Sequence, residues 1–301
     1  MNVAALSARL CWHDLSQSCL RKQLDWARAE DLNGYGLAKP PEYHGDLTTT
    51  HIAHNGSIEA KLIAREKLVL CGIGLIDMII QSYASSCVFH KVGDDGENFQ
   101  KNQVIGYLKG PVAEILTMER VILNYLQHLS GIATNTAAYV GELTNSNSRL
   151  LDTRKTTPGY RLIEKYAVAC GGGWNHRLGL FDRVMLKDNH LALSGHHLQE
   201  LNKIVGECRK KYPALPVEIE VDEQDQIDPV LEAAPDIILL DNFDMSALRE
   251  WIPRLKPHVC VEVSGGVTKE NLASIAALEP HFISCGAIIH QSRWPDIALE
   301  F

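Results

Sequence analysis

The window from Arg149 to His190 concentrates the residues best suited to binding an anion. It holds eight Lys and Arg residues against four Asp and Glu, a net charge of +4 in a chain whose net charge is -8. Near its start, the run DTRKTTPGYR places an Asp beside cations and hydroxyls, directly after two leucines. Arg can grip a planar carboxylate with two hydrogen bonds, whereas Lys acts as a point charge, often toward phosphate. The window therefore predicts a local site for a small anionic molecule.

Carboxylates and glycines with complementary chemistry follow later along the chain. Glu220 and Asp241 could hold ribose hydroxyls or a Mg²⁺ ion, which prefers oxygen ligands. The turn Ser264-Gly265-Gly266 precedes a helix-like segment and is similar to a phosphate cradle, because glycines allow close backbone approach; an ordinary turn is the alternative. Together with the cations, these residues favour phosphoribosyl transfer. The sequence offers no evident Ser-His-Asp arrangement or reactive Cys context, so acyl transfer is poorly supported.

Six apolar runs that each end in a polar or glycine residue must position these groups. Their ends are 21 to 35 positions apart, a spacing typical of βα units with buried strands. Right-handed crossovers place all six strand ends on one side, where a β/α barrel builds its active site. An open doubly wound sheet would also place its ligand crevice there. The residues at these ends are Asp152, Lys187 (followed by Asp188, Asn189 and His190), Glu220, Asp241, Ser264 and Gly286.

Length, charge and cysteine usage exclude several classes of protein. At 301 residues with 46% hydrophobic content, the chain can bury a full core and suggests two domains. Its eight cysteines form no C-x-x-C pair, which argues against a zinc knuckle or disulfide framework and favours a reduced, cytoplasmic setting. The net charge of -8 argues against general nucleic-acid binding. We identify neither a secretion signal nor a membrane span.

Two further motifs are interpreted as structural. Gly72-Ile73-Gly74 lacks the third glycine and the helix of a dinucleotide-binding fingerprint. The pair His51-x-x-His54 has no carboxylate or Cys at metal-ligand spacing. Neither motif therefore changes the prediction of an anion site at the strand ends.

The long central motif resembles the quinolinate phosphoribosyltransferase family, the decarboxylating nicotinate-nucleotide pyrophosphorylases of NAD synthesis. The resemblance covers about Glu30 to Asp296 and includes GDLTT and ERVILNYLQHLSGIAT upstream of DTRKTTPGYRLIEKYAVACGGGWNHRLGLFDRVMLKDNH. It implies an N-terminal α/β sandwich domain and an incomplete, seven-stranded β/α barrel, of which six strands are visible in the sequence. We place the sandwich, with its helical start, at 1–130 and the barrel at 131–301, with a C-terminal segment that could return to the first domain.

The resemblance also implies a reaction and a set of site residues. Quinolinate and phosphoribosyl pyrophosphate would react with Mg²⁺ to give nicotinate mononucleotide, pyrophosphate and carbon dioxide. Glu220 and Asp241 would hold the metal, directly or through water or the sugar pyrophosphate, and would act in catalysis with Lys155 and Lys187. Residues implied to bind quinolinate are Arg120, Thr153, Arg154, His176, Arg177 and Lys187. Those implied to bind phosphoribosyl pyrophosphate are Lys155, Glu220, Asp241, Ser264, Gly265, Gly266, Gly286 and His290.

The implied assembly is a homodimer or a higher assembly of dimers, in which Arg120 reaches across from the partner subunit. The sequence departs from the family pattern at three places. Residues 32–44 intervene between the acidic pair and GDLTT, Ile289 and Gln291 flank His290 where threonine and serine are usual, and Trp174 follows the glycine run. None of these departures removes a predicted charged residue.

Three alternative functions stay open at this point. A sister phosphoribosyltransferase would accept nicotinate or another ring acid without decarboxylation, although several cations facing the ring favour two carboxylates. A β/α-barrel aldolase would use Lys187 to form a Schiff base. A non-catalytic binding protein would hold phosphoribosyl compounds without releasing pyrophosphate.

Overall fold

The computed structural model describes residues 6–52, 56–187 and 198–301. Within those ranges, none of the helices combines the length and apolarity needed to cross a bilayer. The predicted contributions of Asp188, Asn189 and His190, and His54 of the histidine pair, lie outside the described residues. The chain divides into two compact units. The N-terminal unit comprises Leu10–Asn135, Cys170–Gly172 and Ser292–Phe301, and the C-terminal unit comprises Thr136–Ala169, Gly173–Gln291 and the described residues up to Arg9.

Strands and helices alternate along much of the described chain. The strands are β1 (Ser57–Ala64), β2 (Leu68–Val69), β3 (Val88–Lys91), β4 (Asn98–Phe99), β5 (Val104–Pro111), β6 (Arg149–Leu151), β7 (Val184–Leu186), β8 (Val217–Val221), β9 (Ile237–Asp241), β10 (Cys260–Ser264), β11 (Phe282–Ser284) and β12 (Ile297–Glu300). The α-helices are α1 (Gln17–Asn33), α2 (Thr49–Ile52), α3 (Leu75–Ser82), α4 (Val112–Gly141), α5 (Arg161–Cys170), α6 (Leu198–Lys211), α7 (Ile227–Glu232), α8 (Met245–Leu255), α9 (Lys269–Ala276) and α10 (Ala287–His290).

The N-terminal unit is built on a four-stranded antiparallel sheet with strand order β12-β1-β5-β3. The last strand of the chain closes one edge, where Lys61 of β1 pairs with Glu300 of β12. Helix α1 begins at the N-cap Ser16, whose side chain accepts a hydrogen bond from the Cys19 amide, and ends at Gly34 in the left-handed conformation. Strands β2 and β4 form a separate antiparallel pair.

The C-terminal unit contains a six-stranded sheet with order β6-β11-β10-β9-β8-β7. All five strand pairings are parallel. These strands are the six apolar runs identified in the sequence, and β8 is buried at every position, as expected when a parallel sheet is covered on both faces. At the edge of the sheet, Trp174 forms an isolated parallel bridge with Leu151 of β6, so one residue pair extends the sheet beyond its six strands. The predicted α/β fold with a parallel C-terminal sheet is confirmed.

Parallel pairing sets where the predicted site residues lie. Leu151, Ile237, Cys260 and Phe282, one residue from each of four strands, form a fully buried apolar cluster. Because every strand runs in the same direction, the residues that follow the strands emerge at one edge of the sheet. Helix α8 follows β9 and begins at the N-cap Asp244, whose side chain accepts hydrogen bonds from two backbone amides. The helix buries its apolar face.

Candidate active site

A cavity of about 600 Å³ lies at the carboxyl ends of the parallel strands. Residues that follow or end all six strands line it, and the segment after Trp174 contributes two more. Arg120 is exposed on α4 in the N-terminal unit and is not among the lining residues. The predicted site residues that the cavity brings together are Thr153, Arg154, Lys155, His176, Arg177, Lys187, Glu220, Asp241, Ser264, Gly265, Gly266, Gly286 and His290.

The segment after β6 forms a tight turn against the end of β11. The Thr153 hydroxyl accepts a hydrogen bond from the Lys155 amide at 3.0 Å, which holds the two side chains on one short loop. A methyl group added at Gly286 would lie 3.0 Å from Lys155 Cδ and 3.2 Å from both His290 Nε2 and Thr153 Oγ1. The absence of a side chain at Gly286 therefore allows these three groups to converge on one corner of the cavity.

A fully buried charge network supports this turn from below. Lys165 on α5 donates to Asp152 and also to the His176 carbonyl oxygen, at 3.2 Å. The two Asp152 oxygens also accept hydrogen bonds from the Asn175 amide group and the His176 backbone N–H, each at 2.8 Å. Burial raises the pKa of Asp152 and lowers the pKa of Lys165, and each charge partly opposes the shift of the other. The network ties the end of β6 to the segment that carries His176 and Arg177.

His176 lines the cavity, but both of its ring nitrogens face protein groups. Nδ1 accepts a hydrogen bond from the Arg177 backbone N–H at 2.8 Å, and Nε2 lies 3.4 Å from Glu218 and 3.3 Å from Glu262. Arg183 donates to Glu218 at 2.8 Å and completes a buried cluster with two acids. The role of His176 as a quinolinate ligand stays a prediction.

The charge of His176 is subject to two opposing influences. Burial lowers its pKa, but the Glu262 and Glu218 carboxylates outweigh burial and raise it to about 9, which favours an imidazolium. Protonation of Nδ1 would, however, break the backbone contact from Arg177, because that contact needs the Nδ1 lone pair. In this conformation the ring is therefore neutral, with its proton on Nε2. Burial opposes ionisation of Glu218, but the Arg183 charge and hydrogen bonds from His176 Nε2 and Arg183 lower its pKa.

The cationic side of the cavity is suited to a dianion. Arg177 is only 8% exposed, and burial together with the nearby Arg154 guanidinium lowers its pKa. Two like charges held close together repel, so an anion placed between them would be stabilised by both. Lys187 Nζ lies 2.6 Å from Glu220 Oε2, and this ion pair joins the cationic side to the acidic side.

The acidic side adjoins a tight backbone turn after β10. The Asn242 side-chain amide donates a hydrogen bond to the Asp241 carboxylate at 2.8 Å, and the Asn242 backbone N–H donates to the Ser264 carbonyl oxygen at 2.9 Å. Gly265 has φ +83°, and a Cβ there would lie 2.2 Å from Asn242 Oδ1, so only glycine fits. Asn271 on α9 donates to the Gly266 carbonyl at 2.8 Å, next to the point where the helix begins. A helix start beside such a turn favours an anionic group.

The two cavity carboxylates have the chemistry of a Mg²⁺ site. Strand register places Glu220 opposite Leu239 of the neighbouring strand, and Asp241 lies two residues further along that strand. Side chains two residues apart on a strand face the same side of the sheet. Both residues line the cavity and offer oxygen ligands, which Mg²⁺ prefers, usually one or two carboxylates with waters and substrate phosphates. The residues present therefore fit this cation.

Several residues around the cavity were not identified from the sequence. Asn242 stood next to the predicted Asp241 and lines the cavity. Glu218 precedes the predicted Glu220 by two positions, and two glutamates at that spacing in an otherwise apolar strand were the available signal. Glu262 likewise precedes the predicted Ser264 by two positions in an apolar strand, whereas the pairing of Arg183 with Glu218 depends on how distant segments meet.

Comparisons with known proteins give a consistent result. A family model described as "Quinolinate phosphoribosyl transferase, C-terminal domain" matches residues 132–300, and the corresponding N-terminal domain matches residues 46–130. The chain is 36% identical to the probable nicotinate-nucleotide pyrophosphorylase (carboxylating) of Bacillus subtilis (strain 168), over 85% of this chain and 88% of that protein. It is 35% identical to the nicotinate-nucleotide pyrophosphorylase (carboxylating) of Mycobacterium leprae, over 96% and 98% of the two chains.

A solved structure supports the same relationship. The nicotinate-nucleotide pyrophosphorylase from Francisella tularensis superposes with a TM-score of 0.86 and 34% sequence identity. The match covers 95% of this chain and 97% of that one. Similarity therefore extends over nearly the whole chain and includes the segments that line the cavity.

Proposed function

Because the chain belongs to the quinolinate phosphoribosyl transferase family, we propose that it transfers the phosphoribosyl group of phosphoribosyl pyrophosphate to quinolinate. The products are nicotinate mononucleotide, pyrophosphate and carbon dioxide, in the de novo synthesis of NAD. The observation that carries this proposal is the cavity itself, in which a group of cations faces two carboxylates and a glycine turn at the ends of parallel strands.

Quinolinate is positioned by the cationic side. Burial and, after it, the charge of Arg154 lower the pKa of Arg177, and a dianion between the two guanidinium groups relieves their repulsion. Lys187, which directly follows β7, adds a third cation to the cavity lining. Holding two reactants in line can contribute up to about 7 to 11 kcal/mol of barrier reduction, so orientation of the ring is the main task of these residues.

The sugar is activated on the acidic side. As the bond from the ribose carbon to pyrophosphate breaks, positive charge develops on that carbon, and the fixed Glu220 and Asp241 carboxylates stabilise it. The pyridine nitrogen then forms the new bond to the ribose carbon. The ring, now cationic, accepts the electron pair released when the adjacent carboxylate leaves as carbon dioxide, and a proton replaces it. Lys155 acts on the phosphate side, next to Gly286 and His290.

A Mg²⁺ ion is proposed as the cofactor, held by Glu220 and Asp241 directly or through water or the substrate. When bound, it would neutralise charge on the departing pyrophosphate. Removal of divalent cations by a chelator should therefore stop turnover, and added Mg²⁺ should restore it.

We also propose a cytoplasmic homodimer, or a higher assembly of dimers, in which Arg120 completes the partner subunit's cavity. Arg120 is exposed on α4 and does not line its own chain's cavity, which is consistent with this role. Mixing Arg120→Ala subunits with Glu220→Gln subunits tests it. Each mixed dimer would contain one cavity with both residues intact, so activity should exceed that of either variant alone; a mixture no more active than its components would exclude the shared site.

Parallel assays with quinolinate and nicotinate test the reaction itself. With Mg²⁺ and phosphoribosyl pyrophosphate present, quinolinate should yield nicotinate mononucleotide and carbon dioxide in equal amounts. Turnover with nicotinate alone would favour the sister phosphoribosyltransferase instead. The aldolase alternative is less well supported, because Lys187 is committed to an ion pair with Glu220.

A further inference from the structure

We infer that Cys71, Asp95 and Cys170 form a binding site for a thiophilic divalent cation, Zn²⁺, in the N-terminal unit. One ligand atom from each residue lies within 4.8 Å of the other two, and all three residues belong to that unit. The cluster is remote in sequence from the predicted cavity residues apart from Cys170, which ends α5. No part of the proposed phosphoribosyl transfer uses these side chains.

The surrounding backbone holds the cluster in place. The Ser130 hydroxyl accepts a hydrogen bond from the Cys71 amide at 3.0 Å and lies 3.3 Å from the Cys71 carbonyl oxygen. One Asp95 oxygen accepts a hydrogen bond from the Ile73 amide at 2.9 Å, which orients the carboxylate. Metal-binding carboxylates are commonly fixed in this way by a second hydrogen bond. Hydrogen bonds therefore hold two of the three proposed ligand residues, Cys71 and Asp95, in place before a cation binds.

The chemistry of the donors indicates which cation fits. Two thiolates and one carboxylate give three of the four ligands that tetrahedral Zn²⁺ takes, and Cys170 is partly exposed, so water can supply the fourth. Soft sulfur ligands select Zn²⁺ over Mg²⁺ or Ca²⁺. The two other clusters of metal-ligand type among the described residues are less suitable. Cys11, His13 and Asp14 are all exposed, and the His176 cluster already contains the Arg183 cation.

The neighbouring carboxylate also argues for a cation rather than a disulfide between the two thiols. A disulfide would leave the Asp95 carboxylate, which lies within 4.8 Å of both sulfur atoms, beside a group that carries no charge. A dication balances the carboxylate and stabilises both thiolates beside it. Binding displaces one proton from each thiol to solvent, so the affinity should rise with pH.

Cobalt substitution tests the site in the intact chain. The protein is reduced, stripped of metal, and titrated with Co²⁺ in the absence of oxygen, in a Cys11→Ser background that removes the exposed cluster. We expect a thiolate-to-cobalt charge-transfer band that saturates at one ion per chain, with visible bands of tetrahedral cobalt, and Zn²⁺ should abolish both. Co²⁺ bound at Glu220 and Asp241 would not produce the charge-transfer band, because those ligands contain no sulfur.

Variants of the individual ligands complete the test. Cys170→Ser should lose part of the charge-transfer band and weaken binding by at least about 10-fold, the lower limit for loss of even an outer-shell partner. Asp95→Asn should keep the band and bind more weakly, because its oxygen can still accept from Ile73. Cys208→Ser is the matched control, since Cys208 is also partly buried, and should behave as the background protein does.

Thermal unfolding gives a second measurement of binding that does not depend on the cobalt absorption spectrum. Zn²⁺ should raise the melting temperature of the background protein and of Cys208→Ser, because a ligand that binds only the folded state stabilises it, and at the same concentration should raise that of Cys170→Ser by less. A missing charge-transfer band in the reduced protein, or a band of full intensity in Cys170→Ser, would overturn the assignment.

Discussion

Replacing Lys165 by Met probes the buried network beneath the cavity. The Lys165 and Asp152 side chains are both 0% exposed, so the variant leaves a carboxylate buried without its cation. Breaking a buried pair in this way costs about 3 to 5 kcal/mol of folding stability. Asp152 keeps its hydrogen bonds from Asn175 and the His176 amide, which places the expected loss near the lower end, at about 3 kcal/mol.

A second variant separates the loss of charge balance from the loss of packing. Lys165→Met combined with Asp152→Asn removes both charges and adds a mismatched amide pair with Asn175, a cost of about 1 to 3 kcal/mol. The loss of the Lys165 hydrogen bond to the His176 carbonyl oxygen is common to both variants. The double variant should therefore be more stable than Lys165→Met alone. Urea unfolding measures both, and Lys203→Met, an exposed helix position, should change stability by less than about 0.5 kcal/mol.

The dependence on pH gives an independent check with a defined sign. Burial already raises the pKa of Asp152 in the folded protein, and loss of Lys165 removes a charge that opposes this shift. The folded state of Lys165→Met then takes up a proton at a pH where the unfolded state does not, so the stability deficit should shrink as pH falls. A double variant at least as unstable as Lys165→Met, or a deficit that grows on acidification, would refute the assignment of an ion pair at this site.

Three further variants address the cavity. Arg177→Ala should raise the quinolinate KM strongly and leave that for phosphoribosyl pyrophosphate nearly unchanged; equal losses in steady-state assays would contradict its assignment to quinolinate. Gly286→Ala should raise the KM for phosphoribosyl pyrophosphate more than that for quinolinate, because the added methyl group displaces Lys155 and His290, and the reverse order would count against the phosphate side placed there. Gly265→Ala should cost about 1 to 3 kcal/mol in urea unfolding, since its φ of +83° is strained for alanine; unchanged stability would show that the turn relaxes easily.

The strands and the location of the cavity could be predicted from the sequence because parallel strands covered on both faces read as uninterrupted apolar runs. Each run also ended in a residue with recognisable chemistry, such as Glu220 or Asp241, and a shared strand direction was enough to bring those ends together. Thirteen of the fourteen predicted site residues line the cavity, among them His290, which was predicted only from the family resemblance. Arg120 was predicted from family resemblance alone, and its place in the site remains a proposal.

The sequence could not distinguish surface cations from buried ones. Lys165 was one of eight cations in the basic window, yet it is fully buried against Asp152 and does not line the cavity. The apolar pattern of α5 does not reveal this, because a buried lysine requires a carboxylate that arrives from another element. His176 shows the same limitation, since its two glutamate neighbours come from β8 and β10.

The amino-acid sequence by itself determined the order of strands and helices and the chemical identity of the groups at the strand ends. Tertiary structure alone decided which charges neutralise one another below the cavity and that Cys71, Asp95 and Cys170 lie together in the other unit. The physical reason is the distance along the chain between the groups that interact. Periodicity and strand direction are fixed by neighbours along the chain, whereas the protonation and pairing of a buried polar group depend on atoms that only folding brings within a few ångströms.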